Sequence, residues 1–454
     1  MTAQRASKRS SRLDRIKQTL SEPVGISSLV FFRIVFGIIM LLHVVHEFQS
    51  GNVEHVWVLP KVHFTYSGFA WLPHLPGQGY YVLFGVLFVC SALITVGLYF
   101  RSAIVLFFVT WSYVFLSAAS AYQNHFYLLC LISGMLMCMP AHRSFSLDVY
   151  FNRVKRSETA PYWTILLLRL QFAFVYFFGG IAKLNADWLA GHPIDLWLAR
   201  RSDYFLIGPY TSDVWLIYFI AWGGLALDLL AAPFLFWKRT RLAAYLVTLS
   251  FHIVNNRLFS IGIFPWFMIF GTLIFFEPDW PRKYMRKSNI SLGATGSPTI
   301  GKFGLAAMGA YVLFQLFLPM RPHLYPGNTS WTEEGHFFSW RMMLQDKRIA
   351  SQSIQLVDPQ TNKSSAIVLK DYFEYWQAEN MLQTPEFIRQ FAEYLVEQEQ
   401  SHDNTAMIVR ADVRISLNGR EPQQIIDPRV NLAKVRSELG AAKWILPLTT
   451  PLSN

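Results

Sequence analysis

The sequence predicts a polytopic α-helical membrane protein of about nine transmembrane helices, followed by a small, mainly β extracytoplasmic domain at its C-terminal end. Three observations predict it. Only 15% of the residues are charged and 53% are hydrophobic, whereas a soluble chain carries about 25% charged residues. A series of stretches of roughly 16 to 25 residues is almost free of charge, long enough to cross a bilayer as helices. From residue 320 onward the continuous apolar runs stop and alternation begins.

In chain order, residues 1–26 are basic and polar ("MTAQRASKRSSRLDRIKQTL" at the start) and lead into an apolar run with no small-residue cleavage site. They predict a cytoplasmic N-terminal segment rather than a cleaved signal peptide. The helical membrane domain is expected over 27–319. Its nine spans are expected at 27–47, 78–99, 102–122, 125–141, 161–184, 213–236, 241–258, 260–276 and 302–319. Basic residues gather in alternate connections: Arg5, Lys8, Arg9, Arg12, Arg15 and Lys17 before the first span; Arg101; Arg143, Arg153, Lys155 and Arg156; Lys238, Arg239 and Arg241; and Arg282, Lys283, Arg286 and Lys287. Basic loops stay in the cytoplasm. That rule puts the N-terminus inside and, with an odd number of spans, residues 320–454 outside. It also explains the net charge of +11 without a nucleic-acid partner. Cys90, Cys130 and Cys138 all lie in apolar segments, so no disulfide framework is expected in the exported part.

Within 320–454, "SIQLVDPQTNKSSAIVL" alternates around a turn and predicts a hairpin. "TPEFIRQFAEYLVEQEQ" predicts a Thr-capped helix. "TAMIVRADVRISLNG" alternates again and predicts a strand.

Ionisable residues inside membrane spans are costly and mark candidate sites. Arg169, Tyr176 and Lys183 are spaced by seven in the fifth span, a spacing that keeps them on nearly one helix face, with about 20° of drift per heptad. Gly179 and Gly180 beside them would let another helix or a flat ligand approach. Lys183 either snorkels to the outer interface or faces a site. Asp228, in the middle of "GGLALDLLAAP", needs a basic partner from another span, in a structural ion pair or in a site. His252, Asn255 and Asn256 share one face of the seventh span. Tyr122 and His125 are three apart in "YQNHFY". These clusters recur near the outer ends of several spans and suggest one shared site. No metal-ligand spacing, phosphate loop, nucleophile elbow or dinucleotide fingerprint is present, so no metal is expected. An apolar site between helices suits a lipid-soluble ligand such as a quinone.

Several long segments carry a family resemblance: "FFRIVFG" (31–37), "AYQNHFYL" (121–128), "LLRLQFAFVYFFGGIAKLNADW" (167–188), "SFHIVNNRLFSIGIFPW" (250–266), "EPDWPRK" (277–283) and "WTEEGHFFSWRMM" (331–343). In this order they resemble the vitamin K-dependent γ-glutamyl carboxylase family, whose bacterial relatives are called horizontally transferred transmembrane domain proteins. The resemblance implies a lyase-type carboxylase acting on a glutamate-containing protein or peptide. Its cofactors would be vitamin K hydroquinone (a lipid-soluble quinol of phylloquinone or menaquinone type), O2 and CO2.

In the family's mechanism a buried lysine deprotonates the quinol. Reaction with O2 then turns the quinol into a strong base that takes a γ-hydrogen from glutamate. CO2 adds to the carbanion, giving γ-carboxyglutamate and vitamin K epoxide. The family's lysine falls on Lys183 and its histidines on His125 and His252. Asn124, Tyr176, Arg169, Asn255 and Asp228 are then binding or supporting residues in a catalytic membrane domain, 27–319. Burial disfavours an ammonium, which is what Lys183 needs to act as a general base. Asp187, at the rim, is expected to be structural, and Glu333 and Glu334 either line the peptide's approach or are solvated.

Two positions depart from the animal enzymes: Ala182 replaces a further lysine and Asn185 an aspartate. The chain also has no cysteine for the disulfide that those enzymes carry. The expected location is the bacterial cytoplasmic membrane, among membrane lipids, with activity on the outer side. Two other readings are a quinol epoxidase that does not carboxylate peptides, and a non-catalytic quinone- or lipid-binding module or transporter. A transporter would show inverted repeats, and none is evident.

Overall fold

A computed structural model describes residues 12–204, 208–259, 261–284, 299–403, 407–436 and 440–452. Arg5, Lys8, Arg9, Arg286, Lys287 and the first residue of the predicted 260–276 span lie outside the described residues.

A helix occupies each predicted span. After a short amphipathic α1 (Arg12–Ser21) come α2 (Ser27–Gln49), α3 (Gln78–Val96), α4 (Phe100–Leu116), α5 (Asn124–Cys138), α6 (Tyr162–Lys183), α7 (Val214–Phe236), α8 (Arg241–Phe259), α9 (Phe264–Thr272) and α10 (Lys302–Phe317). Five of these, α2, α3, α6, α7 and α10 with the turn that extends it, are long and apolar enough to cross a membrane. The others are shorter or more polar. Among them are α5, which opens on Asn124 and His125, and α8, which carries His252 and Asn255. The polar residues that mark the candidate site are the same ones that interrupt those apolar runs.

The basic connections converge on one end of the bundle. Arg33 of α2 donates to the Phe145 carbonyl (2.7 Å), and Asp148 accepts from the Tyr99 and Phe100 amides at the start of α4 (2.9 and 3.1 Å). Glu277 pairs with Lys238 and Arg241 (3.4 and 3.7 Å). A two-stranded ribbon, β1 (Pro23–Gly25) with β2 (Thr159–Pro161), ties the chain together there.

The C-terminal region packs on the opposite end. Its sheet has the order β4-β3-β5-β6, all antiparallel: β3 (Lys347–Val357), β4 (Ser364–Ala366), β5 (Ile408–Leu417) and β6 (Gln423–Gln424). The predicted hairpin is β3–β4, and the predicted second strand is β5. Alternate β5 residues Val409, Ala411, Val413 and Ile415 are buried, as period-two patterning requires. They share a core with Phe387, Ile388, Phe391 and Leu395 of α12 (Pro385–Asp403).

The region departs from a one-helix reading in holding a one-turn helix at Thr329–Thr332 and a longer one, α11 (Tyr375–Gln383). That helix has only nine residues and no side-chain cap, so the sequence carries neither a long period nor a start signal for it. The region docks through Gln377, which donates to the Val62 carbonyl (2.7 Å). Gln390 exchanges hydrogen bonds with the Thr65 backbone (2.9 and 3.0 Å).

Candidate active site beneath the C-terminal region

The pair that defines the site forms because α6 and α7 meet closely. Gly180 allows this: a Cβ there would lie 2.7 Å from Leu229 Cδ2 and 3.0 Å from its backbone nitrogen. The contact brings Lys183, on the last turn of α6, to Asp228 of α7. Lys183 Nζ donates to Asp228 Oδ2 at 2.6 Å, and both side chains are buried. Lys183 is 6% exposed, so it does not snorkel to water. Nζ is also 3.4 Å from the Gly179 carbonyl and 5.1 Å from the centre of the Trp188 ring. Asp228 accepts from no other described residue.

Lys183 and Asp228 line a cavity of about 370 Å³ together with Asn124, His125, Tyr176, His252 and Asn255. Two turns before Lys183 on the same helix, Tyr176 Oη lies 2.8 Å from His252 Nε2 and 3.4 Å from Thr272 Oγ1. Asn124 donates to the Arg341 carbonyl (2.9 Å) and accepts from Tyr122 Oη (3.0 Å). His125 packs on Phe126 and Phe264 and hydrogen-bonds to no described residue. Aromatic walls come from Trp188, Trp197, Phe251, Phe259 and Phe264.

Seven of the eight residues singled out in the sequence therefore meet in one cavity. Arg169 does not. It donates to the carbonyls of Ile274 and Phe276 (3.0 and 2.9 Å), where it satisfies the end of the α9 turn. Fourteen residues separate it from Lys183, about 21 Å along a helix. A shared face did not mean a shared site.

One wall comes from the C-terminal region and was not singled out: His336, Arg341, Met342 and Gln345. The signal lay in "WTEEGHFFSWRMM", but a loop has no period that shows which side chains turn inward. Arg341 Nε and Gln345 Oε1 are buried without a hydrogen-bond partner. Behind this wall the Glu333 side chain is 8% exposed rather than solvated, and Glu334 accepts from the Ala442 amide (2.7 Å). Glu333 accepts from Lys347 Nζ (2.6 Å) and Gln345 Nε2 (2.6 Å), with His336 Nδ1 at 3.2 Å. Burial alone would raise the Glu333 carboxyl. Lys347, His336 and these hydrogen bonds outweigh it and hold the group below the ordinary carboxylate range.

The rim is clamped to the sheet. Asp187, just beyond Lys183, accepts two hydrogen bonds from Arg420 and one from Asn418, each at 2.7 Å. Here too burial opposes ionisation, but the Arg420 and Asn418 contacts keep the carboxyl low.

A helical membrane bundle with a buried lysine–aspartate pair at one end, closed by a sheet-bearing C-terminal region, is the class that fold and site define. The HTTM domain family matches residues 21–280, and the lumenal domain of vitamin K-dependent gamma-carboxylase matches residues 300–451. The chain belongs to the vitamin K-dependent gamma-carboxylase family. No solved structure matches it.

Proposed function

We propose that this protein is a vitamin K quinol-dependent γ-glutamyl carboxylase that couples quinol epoxidation by O2 to addition of CO2 to a glutamate side chain. The observation that carries the reading is the buried Lys183–Asp228 pair at 2.6 Å in an aromatic-walled cavity shared with His125 and His252. The lining fits a quinol: flat aromatic walls, the His125 ring, and Arg341 Nε and Gln345 Oε1, which are buried without a hydrogen-bond partner. When bound, the reduced vitamin supplies, through its oxidation by O2 to the epoxide, the base strong enough to take a γ-hydrogen.

The chain's own residues hold and move protons. The 2.6 Å contact between Lys183 Nζ and Asp228 Oδ2 is short enough for a proton to pass between them. When it sits on Asp228 Oδ2, Nζ carries a lone pair and can take the quinol's proton as general base. This meets the need for a neutral lysine without an unpaired buried charge. Trp188, its ring centre 5.1 Å from Nζ, shields that side of the lysine from water. Tyr176 holds the His252 ring by the 2.8 Å contact. His125, bonded to no other described group, is free to take a proton during glutamate deprotonation or carboxylation. Arg341 and Gln345 orient the incoming carboxylate from the C-terminal wall.

In this reading 27–319 is the catalytic membrane domain with nine spans, and 320–454 is an extracytoplasmic domain that admits a glutamate-containing peptide. The clustering of Arg33, Arg101, Arg143, Lys155, Arg241 and their neighbours at the end away from the cavity supports a cytoplasmic N-terminus, in a bacterial cytoplasmic membrane. The test uses purified protein with reduced phylloquinone or menaquinone, O2, labelled bicarbonate and a glutamate-rich peptide. Epoxide and fixed label together are the expected result. Epoxide alone across several peptides reduces the activity to an epoxidase. Neither product, from folded protein, overturns the reading.

A further inference from the structure

One buried group beside the cavity has no task in the scheme above. His43 of α2 is 4% exposed, and neither of its ring nitrogens has a hydrogen-bond partner. A buried polar group left unpaired costs about 1–3 kcal/mol, so its persistence calls for a reason. It lies between two other titratable side chains. Toward the cavity, the His43 and His125 rings both pack on Phe126, with centroids 5.4 and 4.7 Å from it, and they interact electrostatically. Away from the cavity, one helical turn on, Glu47 Oε1 is 3.5 Å from His43 Nδ1. Glu47 is itself 6% exposed, two residues before α2 ends at Gln49. Its neighbours His46, Phe48, Gln49 and Ser50 are exposed, and its carboxyl interacts with the Asn52 side chain. Tryptophan and phenylalanine surround the remainder of the His43 ring. The titratable groups that face it are Glu47 and His46 on its own helix and His125 on α5.

Building on the carboxylase reading, we infer that His125, His43 and Glu47 form a proton exit from the cavity to water at the outer end of α2. The reaction needs such an exit. Adding CO2 to the γ-carbon replaces a C–H bond by a carboxylate, so each turnover releases one proton. Quinol and O2 balance separately as epoxide and water. The aromatic walls that keep water from Lys183 also block direct loss of that proton. The relay moves one proton and no electrons. The proton that Lys183 takes from the quinol crosses the shared cavity to His125, and the His125 imidazolium then gives a proton through water to His43. His43 Nδ1 delivers it to Glu47, and Glu47 releases it beside Ser50 and Asn52. An imidazole without fixed hydrogen bonds is suited to this, because either ring nitrogen can accept while the other donates.

The test has two arms on full-length protein in nanodiscs. In the first, infrared difference spectra are recorded through a pH titration. The relay expects a carboxylic-acid band that is absent in Glu47→Gln and whose titration midpoint moves in His43→Phe. This arm needs no turnover, so it stands even if the carboxylase reading fails. A Glu47 band that ignores His43 overturns the relay. In the second arm, carboxylation is measured across pH in His43→Ala and Glu47→Gln. The expected result is a fall of roughly 10- to 100-fold, with recovery when imidazole, or a small carboxylate, is raised in the buffer. A purely structural role would lower the rate without buffer rescue, and that outcome, or an unchanged rate in both variants, overturns the inference.

Discussion

The molecule holds two buried lysine–carboxylate pairs with the same 2.6 Å separation, and their surroundings differ. Lys347 in the C-terminal region is saturated. Its three N–H groups reach Glu333 Oε1, the Trp331 carbonyl at 3.1 Å and the Gln383 carbonyl at 2.8 Å. Glu333 is likewise held by Gln345 and His336. Lys183 has one strong acceptor, one long contact to Gly179 and an aromatic face, and its carboxylate has no second donor. A fully bonded ammonium cannot lose a proton without giving up a hydrogen bond that nothing replaces. An under-bonded one beside a cavity can. The difference between structure and chemistry lies in the unsatisfied valences rather than in distance or burial.

The largest effect that would sharpen this contrast is in Lys183→Ala. Epoxide formation should fall by about 10³-fold, while circular dichroism and membrane insertion stay native, because the orphaned Asp228 can neutralise by binding a proton. A small amine should restore part of the rate. Unchanged turnover would break the assignment.

Next is Lys347→Met, which should act on stability, costing about 3–5 kcal/mol through the stranded Glu333. Adding Glu333→Leu should return much of the loss. A Lys347→Met protein that is as stable as wild type but inactive would erase the distinction between the pairs.

Gly180→Ala should cost about 1–3 kcal/mol by overpacking against Leu229 and also lower turnover, since it separates α6 from α7 at the Lys183–Asp228 contact. The measurement is a thermal midpoint alongside the epoxide rate.

The smallest effect concerns acid. The Glu333 and Asp187 carboxyls are lower in the folded protein than when unfolded, so the stability they contribute is present above their ordinary titration range, near pH 4. It is lost as pH falls through the depressed folded values. Denaturant unfolding followed downward from about pH 5 should show that loss. Asp187→Asn should flatten it while costing about 1.5–3 kcal/mol at neutral pH through the weakened Arg420 contact.

Much of the fold was legible. Each predicted span has its helix, because a long uncharged run has few ways to satisfy its backbone. The hairpin and the β5 strand followed from period-two alternation. What escaped was short or irregular: α11, with nine residues and no cap, and the inward turn of the 336–345 loop. The seven-residue spacing put Arg169 on the Lys183 face correctly and in the site wrongly, since a helix face runs the whole depth of the bundle while the cavity occupies one end.

The sequence by itself determined a helical membrane chain with polar residues stranded near the ends of several apolar runs. It also determined that Lys183, Asp228, His125 and His252 each needed a partner or a purpose. Only the tertiary structure decided the pairings. Lys183 meets Asp228 because two helices, forty-five positions apart in sequence at the contact, approach across Gly180. Asp187 meets Arg420 because the sheet folds back over the rim. A one-dimensional pattern records the cost of each buried polar group, while the group that offsets the cost is chosen by packing between distant segments.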